Sequence, residues 1–480
     1  MTTSTEVDRV VTAALAAFPR MASAPDGTRA GWLRAVADAL DARADELVAL
    51  ADAETALGST RLTGEVARTT GQLRLFADVI EEGSYLEAII DHAAPGRPDL
   101  RRMLVPVGPV AVYAASNFPF AFSVAGGDSA SALAVGCPVV VKAHPGHPAL
   151  SRLTAGIVRE ALADAGAPDG SFSLVEGFEA GAALVEHPAI AAGAFTGSVR
   201  GGRALFDRAV ARPAPIPFFA ELGSINPVVV TRAADSARGA ELADGLAGSF
   251  QLGAGQFCTK PGLVFVPEGS MLEASLAELV ERAPHRLLND AVAEGFGSGV
   301  ADLAAAPGVS VVAGSVEQGG EVPAAMVFAV ELDTFLVPAA ARLLTAEVFG
   351  PVSVLVRYRD EAELEAALAT IEGSLTATLH AEPDEDVTDL ARTLASRCGR
   401  LLFGGWPTGV AVTWSQHHGG PWPATTSQHT SVGATAVRRF QRPLVYQDAP
   451  EPVLPPALQE ANPLGIPRRV DGALVTAGPA

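Results

Sequence analysis

The 480-residue chain has few cysteines, few positive charges and no long hydrophobic run. Its three cysteines are too few for a disulfide scaffold and suit a reducing compartment. Lys and Arg number 34 against 54 Asp and Glu, so the formal net charge is −20, which disfavours nucleic-acid and anionic-membrane partners. The apolar run at 104–115 contains Pro106 and Pro109 and is too short for a membrane span. Residues 1–20 lack a signal-peptide pattern, so we expect a cytoplasmic protein.

Hydrophobic residues are abundant, at 49% of the chain, and mean hydropathy is +0.27. This composition excludes intrinsic disorder and allows large buried cores. At about 150 residues per domain, the length predicts about three domains. Residues 1–90 have the periodicity of Ala-rich amphipathic helices, and residues 91–102 break into a candidate hairpin or linker.

Short apolar runs alternate with helical patterns between residues 110 and 210, which predicts βαβ units and a parallel sheet. One of these helical patterns covers residues 120–135. A doubly wound sheet of this kind binds a nucleotide beyond the carboxyl ends of its strands. A second α/β unit begins near Asn226. After Tyr446 the proline-rich sequence predicts a surface arm without a core.

The three cysteines lie in different sequence contexts. Cys137 and Cys398 lie in or beside apolar segments, which is typical of buried structural cysteines. Cys258 lies in the glycine-rich segment 253–262, and glycines allow a backbone to approach a ligand closely. Taken alone, this context fits a reactive thiol and a structural residue equally well.

Three other segments place polar groups beside predicted strands. Asn117 follows the strand that ends near Ala115, and Thr196 begins a strand–glycine–helix turn whose backbone N–H groups suit a pyrophosphate. Glu221 ends an apolar strand, where desolvation is expected to raise its pKa towards the range of a general base. The glycine turn alone is a weak signal, but together these segments favour a reactive thiol at Cys258 over a structural one.

Six motifs in this order resemble those of the NAD(P)-dependent aldehyde dehydrogenase superfamily, over nearly the whole chain. Each motif alone is a modest signal, but chance does not explain all six in sequence. They are Asn117-Phe118-Pro119, Val141-Lys142, Phe195-Thr196-Gly197-Ser198, Glu221-Leu222-Gly223, Gly255-Gln256-Phe257-Cys258 and Glu347-Val348-Phe349-Gly350-Pro351.

The resemblance implies a role for each of these residues. Cys258 would be the nucleophile that forms a thiohemiacetal and then a thioester, and Asn117 with the Cys258 N–H would form the oxyanion hole. Glu221 would activate the water that releases a free acid, and no metal would be needed. The cofactor-binding residues would be Lys142, Thr196, Gly197, Ser198, Gly202, Leu222, Glu347 and Phe349.

The resemblance also implies an α/β fold with three parts. Residues 1–90 and 108–223 would form the doubly wound coenzyme-binding domain, and residues 224–432 the α/β catalytic domain. The hairpin at 91–107 would be a small oligomerisation element, with 433–480 as a C-terminal arm, and relatives of this kind are homo-oligomers.

Cofactor choice depends on the residues after Lys142. Pro145 stands where many NAD-preferring relatives have a glutamate that repels a 2′-phosphate. The sequence therefore favours NADP, with NAD as the alternative if Glu179 reaches the adenosine ribose.

Several further segments resemble the α-ketoglutaric semialdehyde (2,5-dioxopentanoate) dehydrogenases, whose product is 2-oxoglutarate. An NADP-dependent fatty aldehyde dehydrogenase is the alternative within the superfamily. A nicotinamide-independent cysteine acyl hydrolase or transferase and a non-catalytic binding protein are the alternatives outside it. An anionic substrate needs a local cation, for which Lys260, Arg102, His417 and His418 are the candidates.

Overall fold

The computed structural model describes residues 1–280, 285–317 and 321–476. The helices are α1 (Ser4–Ala22), α2 (Asp26–Ala42), α3 (Ala44–Thr55), α4 (Ser59–Glu82), α5 (Gly127–Ala134), α6 (Pro148–Asp164), α7 (Phe178–Glu186), α8 (Val199–Ala211), α9 (Arg232–Phe250), α10 (Met271–Leu276), α11 (Asp290–Ala305), α12 (Leu332–Phe335), α13 (Pro338–Leu344), α14 (Glu361–Leu368) and α15 (Thr388–Ala395). In the described ranges, no helix combines the length and the apolar character that crossing a bilayer requires.

The strands form three sheets. They are β1 (Ile89–Asp91), β2 (Leu100–Pro106), β3 (Val110–Tyr113), β4 (Val139–Lys142), β5 (Phe172–Val175), β6 (Ala192–Thr196), β7 (Phe218–Glu221), β8 (Pro227–Val230), β9 (Leu263–Pro267), β10 (Ser310–Gly314), β11 (Met326–Glu331), β12 (Val352–Tyr358), β13 (Ser374–His380), β14 (Cys398–Phe403), β15 (Gln441–Gln447), β16 (Arg468–Val470) and β17 (Ala473–Val475).

The first large sheet is parallel, with strand order β5-β4-β3-β6-β7. Its central strands are short valine- and alanine-rich runs buried on both faces, as central parallel strands must be. The order reverses at β3, because β4 and β5 lie on one side and β6 and β7 on the other. A nucleotide binds at such a reversal, beyond the carboxyl ends of the strands. Lys142, Thr196 and Glu221 are the last residues of β4, β6 and β7.

The second large sheet has the order β10-β11-β12-β9-β8-β13-β14, parallel except for the edge strand β10. Apolar clusters cover both of its faces. Cys258 lies in the loop between α9 and β9. The loop at 418–431 crosses back to the first sheet, since Thr425 bridges to Glu221 at the end of β7. The two α/β units therefore meet around these residues.

The third sheet joins the hairpin to the end of the chain, in the order β15-β2-β1-β16-β17. β1 and β2 pair antiparallel as predicted for a hairpin. The prediction of a surface arm without a core after Tyr446 is wrong. Leu454, Ala457, Leu458 and Ile466 are buried in the same core as the first sheet, because β16 pairs with β1 and draws the chain against it. The role of this sheet in oligomerisation stays a prediction.

The arm therefore contributes to stability. Leu458 is fully buried, whereas Leu464 in the same arm is 46% exposed. We expect Leu458→Ala to lower the free energy of unfolding by about 2–5 kcal/mol, because it removes apolar contacts and leaves a cavity. Urea unfolding followed by circular dichroism measures the change, and Leu464→Ala is the matched control. Equal shifts of the two midpoints would contradict this account of the arm.

Candidate active site

Cys258, Glu221 and His418 converge at the boundary between the two large sheets. His418 Nε2 lies 3.7 Å from Cys258 Sγ and 2.9 Å from Glu221 Oε1. Ser431 Oγ donates a hydrogen bond of 2.7 Å to the other oxygen of Glu221, Oε2. The Glu221 and His418 side chains are almost fully buried, and Cys258 is half-buried. The site is a thiol beside a buried carboxylate whose two oxygens are both held.

Two chain segments are tied together to hold this carboxylate. Glu221 ends β7, and the next residue, Leu222, donates its N–H to Ala424 O at 2.8 Å. The Ala220 N–H donates to Thr426 Oγ1 at 2.9 Å on the same loop. These bonds fix the loop at 418–431 against the strand end. They bring His418 and Ser431 beside Glu221, although about 200 residues separate them in sequence.

Glycine contacts hold the segment before Cys258. Gly255 has φ +68°, and a Cβ there would lie 2.2 Å from the backbone carbonyl of Gly350. Only glycine fits this close approach. The Gly255-to-Cys258 and Glu347-to-Pro351 motifs, 92 residues apart, are therefore in backbone contact.

Asn117 approaches the nucleophile from the loop after β3. Its Nδ2 donates to Gln256 O at 3.2 Å, two residues before Cys258, and its own backbone oxygen accepts from Arg61 Nη2 at 2.5 Å. The amide is buried beside the cysteine loop. The structure thus brings Asn117, Glu221 and Cys258 together, while the oxyanion-hole role stays a prediction.

The helical pattern at 120–135 is partly wrong. The helix covers only Gly127–Ala134, and residues 116–126 form turns. The buried Glu65 carboxylate accepts the N–H groups of Phe120 at 2.8 Å and Ala121 at 3.0 Å, in place of helical carbonyls. These bonds fix the turn that carries Asn117.

The expected upward shift of the Glu221 pKa is also wrong. Burial alone would raise the pKa, but the charge of His418 and hydrogen bonds from His418, Ser431 and Cys258 lower it below its ordinary value. The sequence showed the desolvation but not the donors. Glu221 is therefore an ionised acceptor, and the Nε2–H of His418 must be the donor between them.

Burial raises the pKa of Cys258 well above its ordinary value. The negative charges of Glu221 and Glu347 raise it further, and the positive charge of Arg68 opposes them. The nucleophile is thus a neutral thiol at pH 7, and it ionises only when its proton is accepted or a positive charge is brought near.

Lys260 does not face solvent. It is buried, and its Nζ donates to Val348 O at 3.0 Å and Val352 O at 2.7 Å. Burial lowers the pKa of Lys260 to about 8, against the charge of Glu347. Burial likewise raises the pKa of Glu347 to about 7, against the charge of Lys260 and the Ser224 backbone N–H. Lys260 fixes the segment that carries Glu347, which explains a lysine two places after the cysteine.

The predicted cofactor residues lie around the carboxyl ends of the first sheet. Ser198 caps α8, and its Oγ accepts the Gly201 N–H at 3.2 Å. A Cβ on Gly202 would lie 2.1 Å from Leu222 Cδ2, so a larger residue there would displace the Leu222 side chain beside the end of β7. The others are Lys142, half-buried at the end of β4; Thr196 and Gly197 at the end of β6; and Glu347 and Phe349, half-buried in the segment held by Lys260.

Two other residues that the sequence offered as cations for an anionic substrate, Arg102 and His417, make no direct contact with Cys258 in the described part of the chain. Arg102 lies in β2 of the third sheet and pairs with Glu87 at 3.8 Å. His417 is half-buried, and burial lowers its pKa, as do the charges of His418 and His429. His418, in contrast, touches the nucleophile.

Sequence reasoning missed two sets of contacts. It did not assign His418 or Ser431 to Glu221, and it did not single out Arg61 and Arg68 on α4. The helical spacing of these arginines around Glu65 was the available signal, because residues i, i+4 and i+7 share one face.

Comparisons with known proteins agree with this arrangement. The model of the aldehyde dehydrogenase family matches residues 1–421. The chain belongs to the aldehyde dehydrogenase family. It is 46% identical to alpha-ketoglutaric semialdehyde dehydrogenase 2 of Azospirillum brasilense, over 97% of this chain and 91% of that protein. It is 41% identical to the alpha-ketoglutaric semialdehyde dehydrogenase of Acinetobacter baylyi, over 98% and 91%.

Solved structures share the fold of this family member. One is a 1-pyrroline-5-carboxylate dehydrogenase from Thermus with bound NAD, at 24% identity, TM-score 0.79 and coverage of 92% and 85%. Another is aldehyde dehydrogenase 21 from Physcomitrella patens with the product succinate, at 22% identity, TM-score 0.78 and coverage of 93% and 91%. The predicted family and α/β fold class are confirmed, and the enzyme is an aldehyde dehydrogenase that uses a nicotinamide cofactor.

The thiol environment of this aldehyde dehydrogenase has a measurable consequence. Glu221→Gln removes a negative neighbour, so the pKa of Cys258 should fall. We expect iodoacetamide to alkylate Cys258 several-fold faster at pH 8 in the variant. Peptide mass spectrometry distinguishes Cys258 from Cys137 and Cys398.

Glu268→Gln, at an exposed glutamate after β9, is the matched control and should leave the rate unchanged. An unchanged or slower rate in Glu221→Gln would contradict the electrostatic account of the thiol.

Proposed function

We propose that the protein oxidises 2,5-dioxopentanoate (α-ketoglutaric semialdehyde) to 2-oxoglutarate with NADP. The supporting observation is the buried, doubly held carboxylate of Glu221 beside Cys258, which suits hydrolysis of an acyl-cysteine. The two curated relatives at 46% and 41% identity, whose names give this substrate, support the choice of aldehyde.

The residues at the end of the first sheet fit a dinucleotide. Thr196 Oγ1 is buried and has no hydrogen-bond partner among the described residues. The N-terminus of α8 follows at once, with the close approach at Gly202 that a helix-end phosphate site uses. We assign the phosphates to Thr196–Ser198 and α8, and ribose hydroxyls to Lys142 and Glu347. The bound nicotinamide supplies the acceptor for the hydride of the aldehyde carbon.

The chain's own residues then account for the first half of the reaction. The Cys258 thiol loses its proton to solvent, which a positive charge brought near it would favour, and its sulfur attacks the aldehyde carbon. The carbonyl oxygen becomes an alkoxide, which the Asn117 amide and the Cys258 N–H stabilise. One such donor contributes roughly 10²–10³ in rate.

Glu221 serves the second half. Oxidation leaves the acyl group on Cys258 as a thioester, and Glu221 takes a proton from the attacking water. The C–S bond then breaks, the thiol is restored and a free acid leaves. General-base assistance of this kind contributes roughly 10²–10⁴ in rate. His418 and Ser431 act as positioning residues, because they fix both oxygens of the base.

NADP is proposed over NAD because of the residue three places after Lys142. Pro145 carries no charge to repel a 2′-phosphate. Glu179, the residue that would favour NAD, is exposed at the start of α7.

Steady-state kinetics test this function. Wild-type enzyme should give a higher kcat/KM for 2,5-dioxopentanoate than for hexadecanal, and a higher kcat/KM for NADP than for NAD, measured by absorbance at the reduced-nicotinamide band. Cys258→Ala should abolish the signal, and Cys398→Ala, at a half-buried cysteine in β14, should retain it.

The outcomes separate the alternatives. Faster oxidation of hexadecanal would favour a fatty aldehyde dehydrogenase, and a preference for NAD would overturn the cofactor assignment. Thioester hydrolysis by Cys258 without any aldehyde oxidation would favour an acyl hydrolase. Possible metal-binding atoms of Glu221, Cys258 and His418 lie within 4.8 Å of one another, so the metal-free mechanism needs a test. Loss of activity with EDTA would contradict it.

A further inference from the structure

One face of α4 carries two arginines next to the catalytic loops. Arg61, Glu65 and Arg68 lie at i, i+4 and i+7 on this helix. Glu65 accepts the Phe120 and Ala121 N–H groups, so one carboxylate stands between two guanidinium groups. The cluster has a formal charge of +1 in a protein of net charge −20. It is a local cationic site on an acidic protein.

Arg68 has no hydrogen-bonded anionic partner among the described residues, although the charges of Glu65, Cys258 and Glu221 act on it. Within the described ranges it forms no hydrogen bond or ion pair, and its Nε is buried without an acceptor. Its guanidinium lies over the rings of Phe122 at 5.2 Å and Phe118 at 5.9 Å. A partly buried cation without a hydrogen-bonding partner is costly. An anion bound at this guanidinium would supply the missing hydrogen-bond acceptor.

Other cations near the site are already engaged. Arg61 donates to Asn117 O at 2.5 Å through Nη2 and lies over the Phe257 ring at 4.8 Å, while its Nη1 is buried without a partner. Arg400 donates to Pro407 O at 2.6 Å and to Gly409 O at 2.7 Å. Lys260 holds two backbone carbonyls of the segment after Glu347. Among these cations of the described ranges, Arg68 is the one whose guanidinium forms no hydrogen bond, so its whole fork is open to a ligand.

Arg68 lies between a cleft and the nucleophile. The cleft, of about 390 Å³, is lined by Arg68, Gly71, Gln72 and residues 410–412. On the side towards the nucleophile, the centroid of the Phe122 ring, over which the Arg68 guanidinium lies, is 6.1 Å from the centroid of the His418 ring. The charges of Cys258 and Glu221 act on the Arg68 guanidinium, which places it in their electrostatic range.

We propose that Arg68 binds the carboxylate of the substrate while the aldehyde carbon lies at Cys258. The inference rests on the proposed function and assigns its anionic specificity to one residue. A guanidinium fork binds a carboxylate with two parallel hydrogen bonds. The ligand class is a short aldehyde with a carboxylate a few carbons away, and Arg61 is a positioning residue for the Asn117 loop.

Matched variants on one helix test the assignment. We measure kcat/KM for 2,5-dioxopentanoate and for pentanal, a neutral aldehyde with five carbons, in wild type, Arg68→Gln and Arg74→Gln. Arg74 lies on the same helix but pairs with Asp38 at 2.6 Å and Asp41 at 2.8 Å. The anionic-to-neutral ratio should fall about 10- to 100-fold in Arg68→Gln, mainly through KM, and stay at the wild-type value in Arg74→Gln.

The outcomes distinguish the inference from the function on which it rests. A wild-type enzyme that does not prefer the anionic aldehyde contradicts the proposed substrate. A wild-type preference that survives in Arg68→Gln overturns the role of Arg68 alone. Should Arg68→Gln fail to fold, Arg68→Lys retains the charge but not the fork, and the ratio should fall in the same direction by less. An unchanged ratio in Arg68→Lys would then overturn the proposal.

Discussion

The active site depends on the fixed position of one buried carboxylate. Glu221 ends a parallel strand, and its two oxygens are held by His418 and Ser431 from a loop about 200 residues later. The same contacts lower its pKa, so it stays an ionised acceptor beside a thiol whose own pKa is raised. Glu221 is therefore unprotonated at neutral pH and available to accept the proton of the attacking water. The contacts that position Glu221 are thus also the contacts that set its protonation state.

Close contacts at glycines and at Lys260 connect the other motifs to that carboxylate. Gly255 leaves space for the carbonyl of Gly350, and Gly202 leaves space for Leu222, next to Glu221. Lys260 fixes the segment that starts at Glu347 through two backbone carbonyls. Segments that are far apart in sequence thus meet as a rigid lining. Groups held in place in this way can stabilise the charge that develops in the transition state.

The sequence predicted much of this arrangement because its signals are local. Valine-rich runs identified the parallel strands, and the ordered motifs identified the family and fold class, both confirmed. The pKa of Glu221 and the partners of Lys260 were missed, since both depend on residues distant in sequence. The C-terminal arm was misjudged for the same reason: its few apolar residues are buried only because β16 pairs with β1. Arg68 belongs to no sequence motif, and only the positions of its neighbours show that its guanidinium forms no hydrogen bond among the described residues.

Trapping the acyl-enzyme tests the central claim most directly. Glu221→Gln enzyme is mixed with 2,5-dioxopentanoate and NADP, quenched in acid within seconds, and digested for peptide mass spectrometry. The account predicts that the acyl group accumulates on the Cys258 peptide to near one per chain, together with a matching burst of reduced cofactor, and that wild-type enzyme shows little of it. Steady turnover without an adduct, or an adduct on another residue, would contradict it.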